Sequence, residues 1–346
     1  MAKSEKQLPL IKPHWAKRFS WLVASFLLFL GLSRDEALAA EKLIGIQSGL
    51  TISQSMPWIA QEAGLFLKHN LDFQLVYIAS SGMVTAAMLG GDAEVALVGA
   101  VGTVRAYVQG ATDLVFIGSV KNILTHSILA KPEIKKLEDL RGKRIGLARI
   151  GSNPHYFAIQ VLRRRGLDPA RDVFFIQTGG TFETLVALIR GNVDAATMTA
   201  PTDAKAIAQG FRYVVYGPDL QIPYAAASLM TRRSLIARRP QVIWQFMRVM
   251  AEAAKILHTD REFTYRVLSK QLRIDDREVL DTSYNAEIKA LAPRMEIKLE
   301  ALQAILDEVA QSDPRAKKVK PEDLVDRRYL DEMEKSGFFD RLWASR

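Results

Sequence analysis

Along most of the chain, short apolar runs of four to six residues alternate with longer segments of helical period. Residues 42–46 read as a first strand, followed by a Gln47-Ser48-Gly49-Leu50 loop and a helix from about Ser53 with Pro57 near its start. That helix stops near Gly64, and Asn70-Leu71 leads into a second strand over 73–78. Ser80-Ser81-Gly82 opens a helix through 84–89, and Gly90-Gly91-Asp92 turns into a third strand over 94–98. A glycine-rich loop (99–102) and a helix then lead to a fourth strand, 114–118. Strands of this length alternating with helices predict a parallel α/β sheet.

The pattern then repeats. Residues 143–147 match 42–46 as a basic-then-apolar strand ending in a polar glycine loop, and the lead into 173–176 matches the lead into the second strand. Residues 87–96 and 187–196 align without a gap at an offset of 100 residues. Each is a helix end, a glycine turn, a carboxylate (Glu94 or Asp194) and a strand of small residues. Both carboxylates read as structural, tying a strand start to a neighbouring turn. Two copies in the same order predict two α/β lobes rather than a solenoid, which needs a short period repeated three times or more.

Between the copies, residues 121–131 read as an extended crossing segment with a strand at 127–130, and 223–230 is a second extended stretch. The crossings are expected near 119–126 and 217–225. Beyond Arg239 the chain turns helical: Pro240 opens a long amphipathic helix through Leu257, and further helices follow Asp275, Arg294 and Pro321. The expected division is 41–121 with 225–346 for a discontinuous first lobe carrying the helical C-terminal extension, and 122–224 for the second.

The N-terminus changes the cellular picture. A basic lead (Lys3, Lys6, Lys12, Lys17, Arg18) precedes a 12-residue apolar run, 21–32, and Ala37-Leu38-Ala39-Ala40 offers small residues at the spacing of a secretory cleavage site. The run is shorter than the roughly 20 residues a bilayer span needs. Residues 1–40 read as a signal peptide, with cleavage after Ala39 or Ala40, and the expected compartment is a bacterial periplasm. The chain has no cysteine, so it carries no disulfide, thiol nucleophile or lipid-modified N-terminal cysteine. Of the formal charge of +9, the leader accounts for three, leaving about +6. The remaining basic residues fall in short runs without interleaved aromatics and read as solvated helix faces, so no nucleic acid partner is expected.

In parallel α/β sheets ligands bind outside the carboxyl ends of the strands. There the first lobe offers loops 47–50, 80–82 and 99–103, and the second 151–156, 178–181 and 198–201. Most pair glycine with Ser, Thr or Asn just before a helix, a chemistry that holds a small polar or anionic molecule without reacting with it. Loop 151–156 stands out: Pro154 suits the first helical position and Asn153 the N-cap, leaving free N–H groups beside Ser152 and His155. The candidate contacts are Ser48, Gly49, Ser53, Ser80, Ser81, Gly82, Gly99 and Ala100 from the first lobe. The second supplies Gly151, Ser152, Asn153, His155, Tyr156, Thr178, Gly179 and Thr199. Tyr224 joins them from the second extended stretch, while Lys121 and Arg149 are candidates for positive charge. His126, near a crossing, is a weaker candidate, and Trp58 reads as core. No nucleophile elbow, P-loop or metal-ligand spacing is present, so neither catalytic residues nor a metal or cofactor are expected.

Taken together, several stretches resemble the periplasmic solute-binding proteins that serve ABC importers of nitrate, sulfonates, taurine and thiamine-pyrimidine precursors. They are Ala63-Gly64-Leu65-Phe66-Leu67-Lys68-His69-Asn70-Leu71-Asp72, residues 91–96, residues 137–146 with Gly151-Ser152, residues 191–196 before Pro201, and Leu324-Val325-Asp326. The resemblance implies two lobes joined by a two-stranded hinge that close on a solute (a type II periplasmic binding protein fold). It further implies a monomer that delivers its solute to a permease with a cytoplasmic ATPase. Family pockets use the loop after the first strand, the loop near 80–82 and the loop at 151–152. Asn153-Pro154-His155 departs from the hydroxyl residue and His that sulfonate binders often carry there. Two other implied roles are a ligand-presenting subunit for a membrane sensor and an enzyme akin to thiamine-pyrimidine synthases, whose cysteine-rich motif this chain lacks.

Overall fold

The computed structural model describes residues 40–344; the expected leader, apart from Ala40, lies outside the described residues. The first run of elements is β1 (Glu41–Gln47), a 3-10 turn (Ile52–Gln54), α1 (Met56–Glu62), α2 (Leu65–Lys68), β2 (Leu71–Tyr77), α3 (Ser81–Gly90), β3 (Val95–Val98), α4 (Val101–Val108) and β4 (Leu114–Leu124). The second is β5 (Ser127–Ala130), β6 (Arg144–Leu147), α5 (Asn153–Arg164), β7 (Phe174–Gln177), α6 (Thr181–Ile189), β8 (Ala195–Met198), α7 (Thr202–Ala208) and β9 (Arg212–Val215). Strand β10 (Ile222–Arg232) leads to α8 (Arg233–Arg238), α9 (Pro240–Thr259), α10 (Arg261–Leu272), α11 (Arg277–Ile288), α12 (Leu299–Val309), α13 (Arg328–Lys335) and α14 (Phe338–Ala344). No described helix is long and apolar enough to cross a membrane.

Two five-stranded sheets form, in the orders β2-β1-β3-β10-β4 and β7-β6-β8-β5-β9. The same plan is built twice. Within each, the β–α–β steps give parallel neighbours: β1 with β2 and β3, β6 with β7 and β8. The wholly parallel sheets expected from the alternation do not occur, and the crossings explain why. β10 enters the first sheet from the other lobe and runs antiparallel to β3 and β4. β5 enters the second sheet in the same way, antiparallel to β8 and β9. A strand that arrives without a crossover helix has no reason to share its neighbours' direction.

β4 also runs further than the apolar pattern suggests, through Ser119, Lys121 and Asn122. These polar residues are buried because each has partners. The Asn122 side chain donates to the Glu296 carbonyl (2.8 Å) and accepts from the Lys298 N–H (3.1 Å), pinning the strand to the segment before α12. The C-terminal helices cover the first sheet. α9 turns a broad apolar face inward, including Ile243, Phe246, Met247 and Met250, and packs on α1, while α12 packs on β10.

The internal repeat holds at the level of individual hydrogen bonds. The Glu94 N–H donates to the Ile44 carbonyl (2.9 Å), and its carboxylate accepts from the Ile44 N–H (3.3 Å). One hundred residues later the Asp194 N–H donates to the Arg144 carbonyl (2.9 Å), and its carboxylate accepts from the Arg144 N–H (3.0 Å). The preceding glycines, Gly91 (φ 86°) and Gly191 (φ 74°), adopt the left-handed conformation that ends each helix and that other residues rarely take. Both carboxylates are therefore joints between a turn and a strand start, as the pattern predicted.

The Arg144 side chain also bonds Asp194, with one guanidinium nitrogen 2.9 Å from its carboxylate, and together with the backbone contact holds that carboxyl far below its usual range. A carboxyl depressed on folding stabilises fully above its unfolded pKa, and the contribution is lost as pH falls. Asp194→Ala is therefore expected to cost about 2 kcal/mol at pH 7. In urea denaturation the gap from the parent should narrow below about pH 4. A gap of equal size at pH 7 and pH 3 would contradict this assignment.

Candidate functional site

The carboxyl ends of β1, β6 and β8 and the loops after them enclose a cavity of about 90 Å³ between the two sheets. More open grooves lie elsewhere, one of 610 Å³ beside Arg294 and Trp343, away from the strand ends. From the first lobe the cavity is lined by Ser48, Gly49, Thr51, Ser53, Gln54, Tyr77, Ala79, Ser80, Ser81 and Ala226. The second lobe contributes Ala148, Ser152, Asn153, Pro154, Gly180, Thr181, Thr184, Thr197, Met198 and Thr199, with Lys121 and His126 at the crossing. Hydroxyls dominate this wall.

Each loop is fixed by bonds within the chain. The Gln54 side chain accepts from the N–H groups of Ser48 (3.0 Å) and Gly49 (2.9 Å) and donates to the Ser48 hydroxyl (3.0 Å), shaping the turn after β1. Ser80 caps α3, its hydroxyl accepting from the Met83 N–H. The Thr184 hydroxyl donates to the Gly180 carbonyl (2.7 Å) and lies 2.5 Å from that of Thr178. The start of α5 differs from expectation by one residue. Ser152 holds the extended N-cap backbone and Asn153 is the first helical residue, with Pro154 second. The Ser152 hydroxyl donates to the Arg149 carbonyl (2.6 Å), and the Gly151 N–H goes to His155 Nδ1 (3.1 Å). With the cap at Ser152, the Tyr156 N–H bonds the Ser152 carbonyl (2.9 Å), so this helix start offers an anion fewer donors than the sequence suggests.

At the back of the cavity lies a buried ion pair. Lys121 Nζ is 2.6 Å from a Glu287 carboxylate oxygen, with both side chains 3% exposed. Lys121 also donates to the Thr125 hydroxyl, which in turn donates to Glu287, and Thr199 lies 3.3 Å from that same carboxylate. The imidazole of His126 is neutral at physiological pH, because burial and then the Lys121 ammonium hold its pKa down at about 3. Asp203, buried on α7, is pushed up to about 6, chiefly by burial and further by Glu287.

The lobes touch across the cavity mouth. Arg149 Nε donates to the Ala79 carbonyl (3.0 Å), and the Asn153 amide donates to the Ala226 carbonyl (2.9 Å). Further out, the Tyr156 hydroxyl reaches the Ala304 carbonyl (3.1 Å), and Gln160 and Arg163 bond Glu308 on α12.

Of the residues expected from sequence, Ser48, Gly49, Ser53, Ser80, Ser81, Lys121, Ser152, Asn153 and Thr199 converge on this cavity. The others do not line it, each for a visible reason. Gly99 makes room: a Cβ there would meet the Asn153 side-chain oxygen at 2.2 Å. Ala100 is fully buried, its N–H bound to the Ala225 carbonyl. Gly82 lies inside the first turn of α3, within the span that Ser80 caps. Arg149 clamps the lobes, Gly151 turns the loop with φ 82°, and His155 braces that turn against Phe175 (ring centroids 4.9 Å apart). Tyr156 and Tyr224 are packed 4.5 Å apart in the core, where Trp58 is also buried. Thr178 acts one step behind, through Thr184, and Gly179 supplies a left-handed turn (φ 104°).

Thr51, Gln54, Tyr77, Thr184 and Thr197 line the wall from outside the expected loops, His126 lines it although only a weaker candidate, and Glu287 stands behind it unanticipated. For Glu287 a signal existed. It shares the buried stripe of α11 with Leu280, Ser283 and Tyr284, at i, i+3, i+4 and i+7 spacing, and a charge on such a stripe demands a partner.

A family model described as NMT1/THI5 like matches residues 54–262. No curated protein sequence matches the chain. Among solved structures, a protein of Bordetella bronchiseptica RB50 is 20% identical, covering 85% of this chain and 98% of its own, with a TM-score of 0.76. The periplasmic aliphatic sulphonate binding protein SsuA of Escherichia coli is 21% identical, over 84% and 93%, with a TM-score of 0.66. The desulfurization enzyme DSZB is 14% identical, over 86% and 99%, with a TM-score of 0.65. At these identities the likeness is one of fold: two α/β lobes on a two-stranded hinge, the type II periplasmic binding protein arrangement.

Removing one partner of the buried pair leaves an uncompensated charge. Glu287→Leu or Lys121→Met alone is expected to cost about 3 kcal/mol, and the double replacement to recover most of it. Chemical denaturation of the four proteins measures this, and additive losses would show that the two groups do not depend on one another.

Proposed function

The chain belongs to the NMT1/THI5-like family, and from that premise we propose that it captures a small polar solute between its lobes and presents it to an ABC importer. One observation carries the reading. Ser81 Oγ, His126 Nδ1, Asn153 Oδ1 and Thr197 Oγ1 are buried, lack a hydrogen-bond partner among the described residues, and all belong to residues lining the same cavity. Buried polar groups are rarely left so, and four at one place, from both lobes and the crossing, suit a solute that supplies their partners. Such a solute is held by both lobes at once and favours their closed arrangement over an open one. Arg149 and Asn153, which reach the opposite lobe's carbonyls, belong to that closure.

Retention rather than turnover is the proposed outcome. The wall offers hydroxyls, an amide, a neutral imidazole and a paired ammonium; the chain has no cysteine for thiol chemistry. The proposed setting is the periplasm, after removal of the leader. A fold shared with DSZB makes the distinction from an enzyme worth measuring.

The reading is tested by purifying the protein without refolding, releasing its solute for mass spectrometry, and following readdition by calorimetry and small-angle scattering. Unchanged solute should return, bind at one site and compact the protein. Thr197→Val should weaken that binding about tenfold or more, as expected for losing a buried hydrogen bond. Chemical conversion of the solute, or one rigid conformation with no solute, would contradict capture.

A further inference from the structure

Resting on capture at this cavity, we infer that the solute carries no net charge, and that Glu287 sets this preference by neutralising Lys121. Among the described residues lining the cavity, Lys121 is the only one with a charged side chain, and none is acidic. A wall built to hold an anion would present that ammonium unpaired. Here Nζ lies 2.6 Å from Glu287 and also donates to Thr125, leaving one of its three N–H groups for a solute. The charge is already balanced, while a single directional donor remains.

Beyond the pair, the guanidinium groups of Arg149 and Arg105 stand near the Gly151 loop, outside the residues that line the cavity. His126 is a neutral imidazole, and Asp203, which also feels Glu287, contributes negative potential behind the pair. At the mouth, Arg149 and Glu183 both act on Tyr77 with opposite sign, and Arg149 is engaged with the Ala79 carbonyl. An anion entering would be stripped of water and placed beside a carboxylate whose only close cation is already shared. The unpartnered atoms are the hydroxyls of Ser81 and Thr197, the Asn153 carbonyl oxygen and a His126 nitrogen. This is a mixed set of donors and acceptors, suited to a compact molecule rich in hydroxyl, amide or ring-nitrogen groups.

Glu287→Gln keeps an oxygen toward Thr125 and Thr199 while leaving Lys121 as an unpaired cation. The test compares parent and Glu287→Gln proteins by calorimetry and thermal shift against sodium nitrate, sodium ethanesulfonate, urea, glycerol and cytosine, with chloride as the ionic-strength control. The parent should show no response to nitrate or ethanesulfonate at millimolar concentration. The variant should gain at least tenfold in affinity for one of them, with a rise in melting temperature that the parent lacks. Mass spectrometry of solute released from the parent should find an uncharged compound, a readout that holds even if the variant fails to fold. Micromolar binding of either anion by the parent, or an anionic released solute, would overturn the inference while leaving capture intact. A folded variant that gains nothing would remove Glu287 from the role. No released solute and no response to any probe would remove capture itself, and the inference with it.

Discussion

Two charges buried at the junction of the lobes constrain much of this molecule. Lys121 stands on β4, the strand that leaves the first sheet, and Glu287 on α11, which reaches it from the C-terminal helices. Neither side chain is tolerable alone at 3% exposure, so folding β4 into the hinge requires α11 to dock. α11 in turn packs on α7 of the second lobe and on the 3-10 turn at Ile52–Gln54 of the first. Thr125 and Thr199 complete the network from either side of the crossing. One ion pair thus couples the path of the chain between the lobes to the back wall of the cavity.

The architecture was legible because it is repeated. Segments 87–96 and 187–196 looked alike as sequence, and they are alike in the hydrogen bonds of Glu94 and Asp194. What the alternation of strands and helices did not contain was the direction of β5 and β10, since that depends on the chain leaving and re-entering a lobe rather than on local pattern. At the site, loops rich in hydroxyl residues and glycine point to the strand ends around this cavity, yet spacing alone does not separate a residue that faces the cavity from one that shapes the loop. Gly99, Gly151 and His155 shape; Thr184 and Thr197 face. Glu287 is more than 160 residues from Lys121, and no local motif joins them. Only the charge on the buried stripe of α11 marked it.

Sharing a fold leaves the chemistry of the wall free to change. Proteins about 20% identical to this one, with the same two-lobed arrangement, include one that binds aliphatic sulphonates. The strands and helices hold the loops in place through contacts that do not face the cavity, such as Thr178 behind Thr184. The residues that do face it are then the ones that set specificity. In this chain they are hydroxyls and amides around a paired lysine, an arrangement that rewards complementary hydrogen bonding over net charge.

The most direct measurement is a crystal structure of the protein purified with its natural solute retained. Density for that solute is expected between the two sheets, within hydrogen-bond distance of Ser81, Asn153 and Thr197, with Lys121 still paired to Glu287. Solute bound elsewhere, as in the groove beside Trp343, or a Lys121 swung away from Glu287 onto an anion, would contradict it.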